Sequence, residues 1–422
     1  MVSSGVRQAL NLAAALLALA AYTSALHSAE GADARAVADR QQQLLAAIEE
    51  IQSRDGPYSR DLLGPLTALI ELYQEGEDAA LAAVTIERAR QVVRINSGLH
   101  TLEQVPYIEQ LVRIERTRGN HTTAWNLQQE LLALVRRYPE DLRTVPVLRE
   151  DAEWHMEVLA QYLHGEKPPE LYLGCYYGDD CDSGGRKGAA RGMIADAGRS
   201  YMEAIGVLTR NELYDSDELR ELEVGLLRGI DLVRTQFDGD TQLGTYSPGR
   251  ESLYRLYQYE TTASRPMLSQ ADAAVQIADW ELLYSNNGDA VRRYARVLAE
   301  LKRVGAASAS IDQLFSPQIP VVLPAFQPNP LARDDSRVAT GYIDAAFEIT
   351  KYGRGRAVEI LDTTNAAREA QNRLVSLIML SRFRPRPTNG EFVGASRVVV
   401  RYYLYDGTIP MPTARGSAAL IQ

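Results

Sequence analysis

The feature that most restricts the fold is a recurring spacing of small and large apolar residues. Leu69 and Tyr73 are followed by Gly76, Ala82 and Ala89. The next stretch carries Leu111, Gly119, Ala124 and Leu131 and ends at Tyr138-Pro139. A later one reads Ile277-Ala278-Asp279-Trp280, then Ala290, Tyr294 and Val297. Small residues at this spacing let two antiparallel helices approach closely, while Leu and aromatic side chains fill the gaps around them. Such pairs cannot bury their apolar faces alone, so they stack. The expectation is a helical array over residues 36–305.

This pattern resembles the tetratricopeptide repeat. The resemblance implies a right-handed array whose concave groove holds a segment of another protein. One unit is interrupted: Trp154 to His164 reads as its first helix, and Ala197, Tyr201 and Ala204 mark its second. Between them, 166–192 contains Pro168-Pro169, Gly184-Gly185, Cys175 and Cys181, and is expected to loop out. Leu219, Leu222, Leu226, Leu227, Ile230 and Val233 then recur at helical spacing from Asp217 to Phe237. Tyr254, Leu256, Tyr257 and Tyr259 form a short helical piece.

Residues 1–29 read as a signal peptide. Arg7 precedes an apolar run from Ala9 to Ala21, and Thr23-Ser24-Ala25 offers a small-residue cleavage site. The alternative is an uncleaved anchor over Ala9 to Leu26, at the lower edge of membrane-spanning length. Export makes Cys175 and Cys181, the chain's two cysteines, a candidate disulfide, with two free thiols as the other possibility. The expected location is the periplasm, or the inner membrane facing it if the leader is retained. The net charge of -10 argues against nonspecific nucleic-acid binding.

Beyond residue 305 the chemistry changes. Pro317, Pro320, Pro324, Pro328 and Pro330 make 306–335 a Pro-rich linker, extended and laid on a surface through Phe315, Leu323 and Phe326. Tyr342 to Ile349 alternates, a turn follows at Tyr352-Gly353, and Ala357 to Leu361 completes a hairpin. A helix is expected from Asn365 to Ser381, then a β-branched and aromatic strand from Ser396 to Leu404. From Asp335 onward the chain carries 12 Arg/Lys against 8 Asp/Glu, a net of about +4. Opposite charge in the two parts suggests different partners.

The order β-β-α-β, with Arg382-Phe383-Arg384-Pro385 after the helix and Gly390-Glu391 before the last strand, resembles the C-terminal domain of the TonB energy transducers. It covers about 70 of the 422 residues, taken as 336–408, followed by a tail at 409–422. The resemblance implies that an extended partner peptide adds to a free sheet edge. Arg382, Phe383, Arg384, Pro385, Arg397, Arg401 and Tyr402 are the candidate partner-binding residues, with Arg386 adding charge; the same arginines would equally serve to solvate the edge. The chain departs from the transducers in two ways. Its apolar N-terminal run holds no histidine, and a helical array replaces the long Pro-rich spacer.

Signals for catalysis are weak. The histidines, His27, His100, His121, His155 and His164, show no metal-ligand spacing, and no nucleophile elbow or phosphate loop is present. His155 and His164 read as capping or solvated residues. Asp179, Asp180 and Asp182 faintly suggest a calcium loop, without the downstream Glu. Trp154 and Trp280 read as core aromatics, and some of the 22 tyrosines as contact residues. The chain is thus expected to be mainly α followed by a small α+β domain. Its expected role is that of a non-catalytic envelope scaffold that binds proteins and needs no cofactor or metal. A membrane-anchored TonB-like transducer and an envelope hydrolase are the alternatives.

Overall fold

The computed structural model describes residues 35–163, 185–236, 242–327, 329–334 and 336–405. The leader at 1–29, Cys175 and Cys181, His164, the acidic loop at 179–182 and the tail at 409–422 lie outside the described residues. The described chain is mainly helical and ends in a small three-stranded antiparallel sheet. It falls into two compact units, Met1–Arg137 and Tyr138–Gln422. The division lies within the stretch expected to be one array, between Arg137 and Tyr138, just past a helix that ends at Val135 and before Pro139, which cannot extend it.

The first unit contains α1 (35–55), α2 (Leu63–Glu75), α3 (Ala79–Ser97), α4 (Val105–Thr117) and α5 (His121–Val135). From α2 to α5 each helix packs on the next. Ala82, Ala89 and Ala124 are buried, as are Leu69, Leu111 and Leu131, so the small and large positions read from the sequence do line the helix seams. Short caps set the turns. The Asp78 carboxylate accepts the Leu81 N–H at 3.0 Å and starts α3. Gly119 takes φ +75° between α4 and α5, a conformation that favours glycine.

The second unit continues with α6 (Val145–Leu163), α7 (Gly185–Arg210), α8 (Asp217–Gln236), α9 (Gln242–Thr262), α10 (Met267–Leu283), α11 (Asn287–Arg303) and α12 (Ser308–Phe315). From α6 to α11 successive helices pack against each other. Two glycines allow the closest approaches. A Cβ on Gly225 of α8 would lie 2.5 Å from the Tyr201 ring of α7, and one on Gly249 of α9 would lie 2.2 Å from the Trp280 ring of α10. Leu227, Leu253, Leu256, Ile277 and Trp280 close the core of this stretch.

Three sequence expectations need correction here. The interrupting segment was expected to be irregular through Gly192, but α7 already begins at Gly185. Glycine costs a helix only about 1 kcal/mol each, which a 26-residue helix absorbs. The short piece around Tyr254 is a 21-residue helix that runs through Pro248. His155 is buried rather than solvated, with Nδ1 2.8 Å from the Asp151 carbonyl and the Trp154 ring edge-on at 4.8 Å.

Tyr201 gives the first expected result. Burial, reinforced by the Glu153 charge, pushes its phenol up from 10 to about 12. A group whose folded value is raised stabilises fully below its unfolded value and loses that contribution as pH climbs through the folded one. Stability should therefore fall between pH 10 and 12, by about 2–3 kcal/mol from this residue alone. Urea unfolding across that range should show the fall, and Tyr201→Phe should flatten it. An unchanged slope in the variant would show that Tyr201 titrates as it does in the unfolded chain.

After α12 the chain does not trail free. Leu314, Phe315, Leu323 and Leu331 are buried, and the Phe326 ring lies tilted against Trp280 with centroids 6.2 Å apart. The sheet follows, with β1 (Gly341–Thr350), β2 (Gly355–Thr364), α13 (Arg368–Leu380) and β3 (Ala395–Leu404), in the strand order β2-β1-β3. Ile343, Ala345, Phe347 and Ile349 of β1, and Val398, Val400 and Tyr402 of β3, pack with Leu374 and Ile378 of α13 on the inner face.

Candidate partner-binding surface

Alternation along a strand assigns the sheet two chemistries. The inner face is apolar. The outer face is a mosaic of charges joined across strands. Arg356 meets Glu348 at 2.9 Å, Arg397 meets Glu359 at 2.9 Å, and Arg401 meets Asp344 at 2.7 Å. The Arg401 guanidinium also lies 4.0 Å from the Tyr342 ring centre. Its hydrogen bonds hold the Asp344 carboxyl below the usual range, against a weaker upward push from burial. The positive charge expected at Arg397 and Arg401 is therefore locally cancelled by carboxylates that lie 38 and 57 residues away in sequence.

The other candidate residues turn inward. Phe383, Arg384, Pro385 and Tyr402 are buried, and Arg382 is half-buried. Residues 382–384 form a short extended segment between the start of β2 and residues 321–323. The Phe383 N–H donates to the Gly353 carbonyl at 2.8 Å, the Leu323 N–H to the Arg382 carbonyl at 2.8 Å, and the Arg384 N–H to the Val321 carbonyl at 2.9 Å. Alternation then sends Phe383 into the sheet core, 5.3 Å from Phe347, and Arg384 the other way, into the helices.

Arg384 ends at a buried acid. Its Nη2 donates to Asp279 Oδ2 at 2.6 Å and its Nε to Oδ1 at 3.1 Å, while Nη1 donates to the Leu314 carbonyl at 3.0 Å. The Tyr294 hydroxyl donates to Asp279 Oδ1 at 2.7 Å. Burial acts to lower the Arg384 pKa, but the Asp279 charge outweighs it and holds the guanidinium above its ordinary range. This arginine pins the sheet to α10 and α12 and is closed to a partner.

What the sheet leaves open is an edge. The Lys351 N–H donates to the Gly394 carbonyl at 2.9 Å, in the same register that pairs Thr350 with Ala395. Antiparallel pairs alternate, so even-numbered residues of β3 bond β1 and odd-numbered ones direct N–H and C=O outward. Those at 397, 399, 401 and 403 have no ladder partner among the described residues. Val399 sits at the middle of this edge with 56% of its surface exposed.

Sequence reasoning missed a second surface. Tyr246, Arg250 and Tyr254 recur every four residues along α9, and Arg250 lies 5.9 Å and 5.1 Å from the two rings. Arg293 of α11 donates to the Tyr254 hydroxyl at 2.8 Å and to Glu281 at 2.9 Å. Arg255 bonds the buried Glu223 at 2.6 Å, and Ser252 bonds its other oxygen. The four-residue spacing of Tyr and Arg was a legible signal. The buried carboxylates behind them were not, because they come from neighbouring helices.

Among the described residues no group of three or more His, Cys, Asp or Glu could hold a metal ion. No described helix is long and apolar enough to cross a membrane. No family model matches the chain, and no curated protein matches it. Among solved structures, it is similar to the crystal structure of BtubC (BKLC) from P. vanneervenii, with 11% identity, 67% of this chain and 94% of that chain covered, and a TM-score of 0.33. That likeness is too slight to define a fold.

Proposed function

We propose that this chain is a non-catalytic scaffold of the cell envelope that binds proteins through its sheet, with the helical stretch holding that sheet in place. The supporting observation is the open edge of β3, whose outward backbone groups have no ladder partner among the described residues and whose central Val399 is exposed. An unpaired row of backbone donors and acceptors is a template for an extended peptide. The outer-face pairs Arg397–Glu359 and Arg401–Asp344 flank this edge and give a partner's side chains alternating charges to read. Resemblance of the helical pattern to tetratricopeptide repeats, and of the β-β-α-β segment to TonB C-terminal domains, agrees with this reading. Anchorage of the sheet through Arg384 favours a fixed docking platform over a freely swinging transducer arm.

Val399→Pro tests the proposal. Proline removes the outward N–H at the centre of the edge and leaves the β1 ladder intact, since Val399 does not bond β1 through its backbone. The expected result is loss of the proteins recovered with the wild-type chain from an envelope extract, with circular dichroism unchanged. Recovery of the same partners by a folded Val399→Pro variant would sink the edge-pairing reading.

A further inference from the structure

The arginines on the outer face of the sheet each meet a carboxylate, and two others break that rule. Arg354 and Arg382 face each other directly across an antiparallel bridge. No carboxylate pairs with either among the described residues. Arg382 Nη1 donates to the Tyr352 carbonyl at 3.1 Å, while Arg354 is bonded through its backbone, its N–H donating to Thr350 Oγ1 at 3.0 Å and its carbonyl accepting from the Thr350 N–H at 3.0 Å. Like charges set directly opposite destabilise a sheet. Burial, and then the Arg354 charge, hold the Arg382 guanidinium below its ordinary pKa range.

The backbone that carries the pair is closely fitted. Gly353 adopts φ +71°, and a Cβ there would lie 2.3 Å from the Phe383 carbonyl. The Phe383 N–H locks the same two segments at 2.8 Å. The backbones of Arg354 and Arg382 are therefore set opposite each other by a closely fitted seam. Lys351, on the same turn, adds a third positive charge.

We propose that Arg354 and Arg382 form a clamp for a phosphate-type dianion. Each guanidinium carries a fork of donors of the kind that suits an oxyanion. A phosphate monoester carries close to two negative charges near neutral pH and so cancels both arginines, whereas one carboxylate would leave a positive charge uncompensated. The clamp lies on the β2 side of the sheet, away from the β3 edge, and goes beyond the peptide-binding reading.

Calorimetric titration of the full chain with inorganic phosphate at fixed ionic strength tests it. Saturable binding is expected, weakened at least tenfold by Arg354→Gln and by Arg382→Gln, and unchanged by Arg303→Gln, whose arginine pairs with Glu300 on α11. A phosphoserine peptide titrated beside its unphosphorylated form separates phosphate carried on a protein from free phosphate. Removing the Arg354 charge, opposed to Arg382, should leave the urea midpoint of Arg354→Gln equal or raised. Absence of saturable binding, equal binding by the variants, or a lowered midpoint in Arg354→Gln would overturn the clamp.

Discussion

Replacing Arg384 by methionine should lower the stability of the second unit by about 3–5 kcal/mol, because it strands a buried charge. Asp279 would keep only the Tyr294 hydroxyl as a hydrogen-bond donor, and the Leu314 carbonyl would lose its guanidinium partner. Burial already pushes the Asp279 carboxyl above its ordinary range, against the pull of Arg384 and Tyr294. Without Arg384 the upward push dominates. A carboxyl with a raised folded pKa stabilises below its unfolded value and loses that contribution as pH rises. The deficit of Arg384→Met relative to wild type should therefore shrink as pH falls from 7 toward 5. Urea unfolding at several pH values measures both effects.

The contrast with removing the whole group is equally informative. Arg384→Met combined with Asp279→Leu and Tyr294→Phe leaves no stranded charge or hydroxyl, and buried ion pairs replaced by apolar groups of similar volume are often tolerated. The triple variant should recover most of the loss. A single variant within about 1 kcal/mol of wild type would mean that the sheet is not fastened through this pair.

Trp280→Ala should cost a similar amount, about 3–5 kcal/mol, by a different mechanism. The indole is among the largest fully buried side chains. It lies on Gly249, donates to the Tyr246 carbonyl at 3.0 Å, and contacts the rings of Tyr284 and Phe326 at 5.1 and 6.2 Å. Its loss opens a cavity where α9, α10 and the segment after α12 meet. Gly249→Ala attacks the same seam from the other side and should cost about 1–3 kcal/mol by overpacking. In the Trp280→Ala background that cost should vanish, since the ring that the new methyl would strike is gone. Additive losses in the double variant would show that the two residues are not in contact.

How much of this was legible can be judged residue by residue. Ala82, Ala89, Ala124, Ala197, Ala278 and Ala290 were read as helix-seam positions from spacing alone, and all are buried. The hairpin, the helix and the last strand of the sheet fell within a few residues of their observed bounds, because period-two alternation and helical spacing are local properties of the chain. Pairwise electrostatics was not legible. Arg384, Arg397 and Arg401 look alike in sequence as basic residues beside a strand. One is buried against an acid 105 residues earlier, and two are neutralised across the sheet.

The sequence by itself determined a mainly helical chain closed by a small β-β-α-β sheet, since backbone periodicity and side-chain size act over a few residues. Tertiary structure alone decided which charges remain available. A guanidinium is defined by the groups that long-range folding brings within a few ångströms of it, and those groups come from distant parts of the chain. The basic strand positions are therefore neutralised across the sheet, Arg354 and Arg382 meet no carboxylate among the described residues, and the most conspicuous arginine of the motif, Arg384, joins sheet to helices.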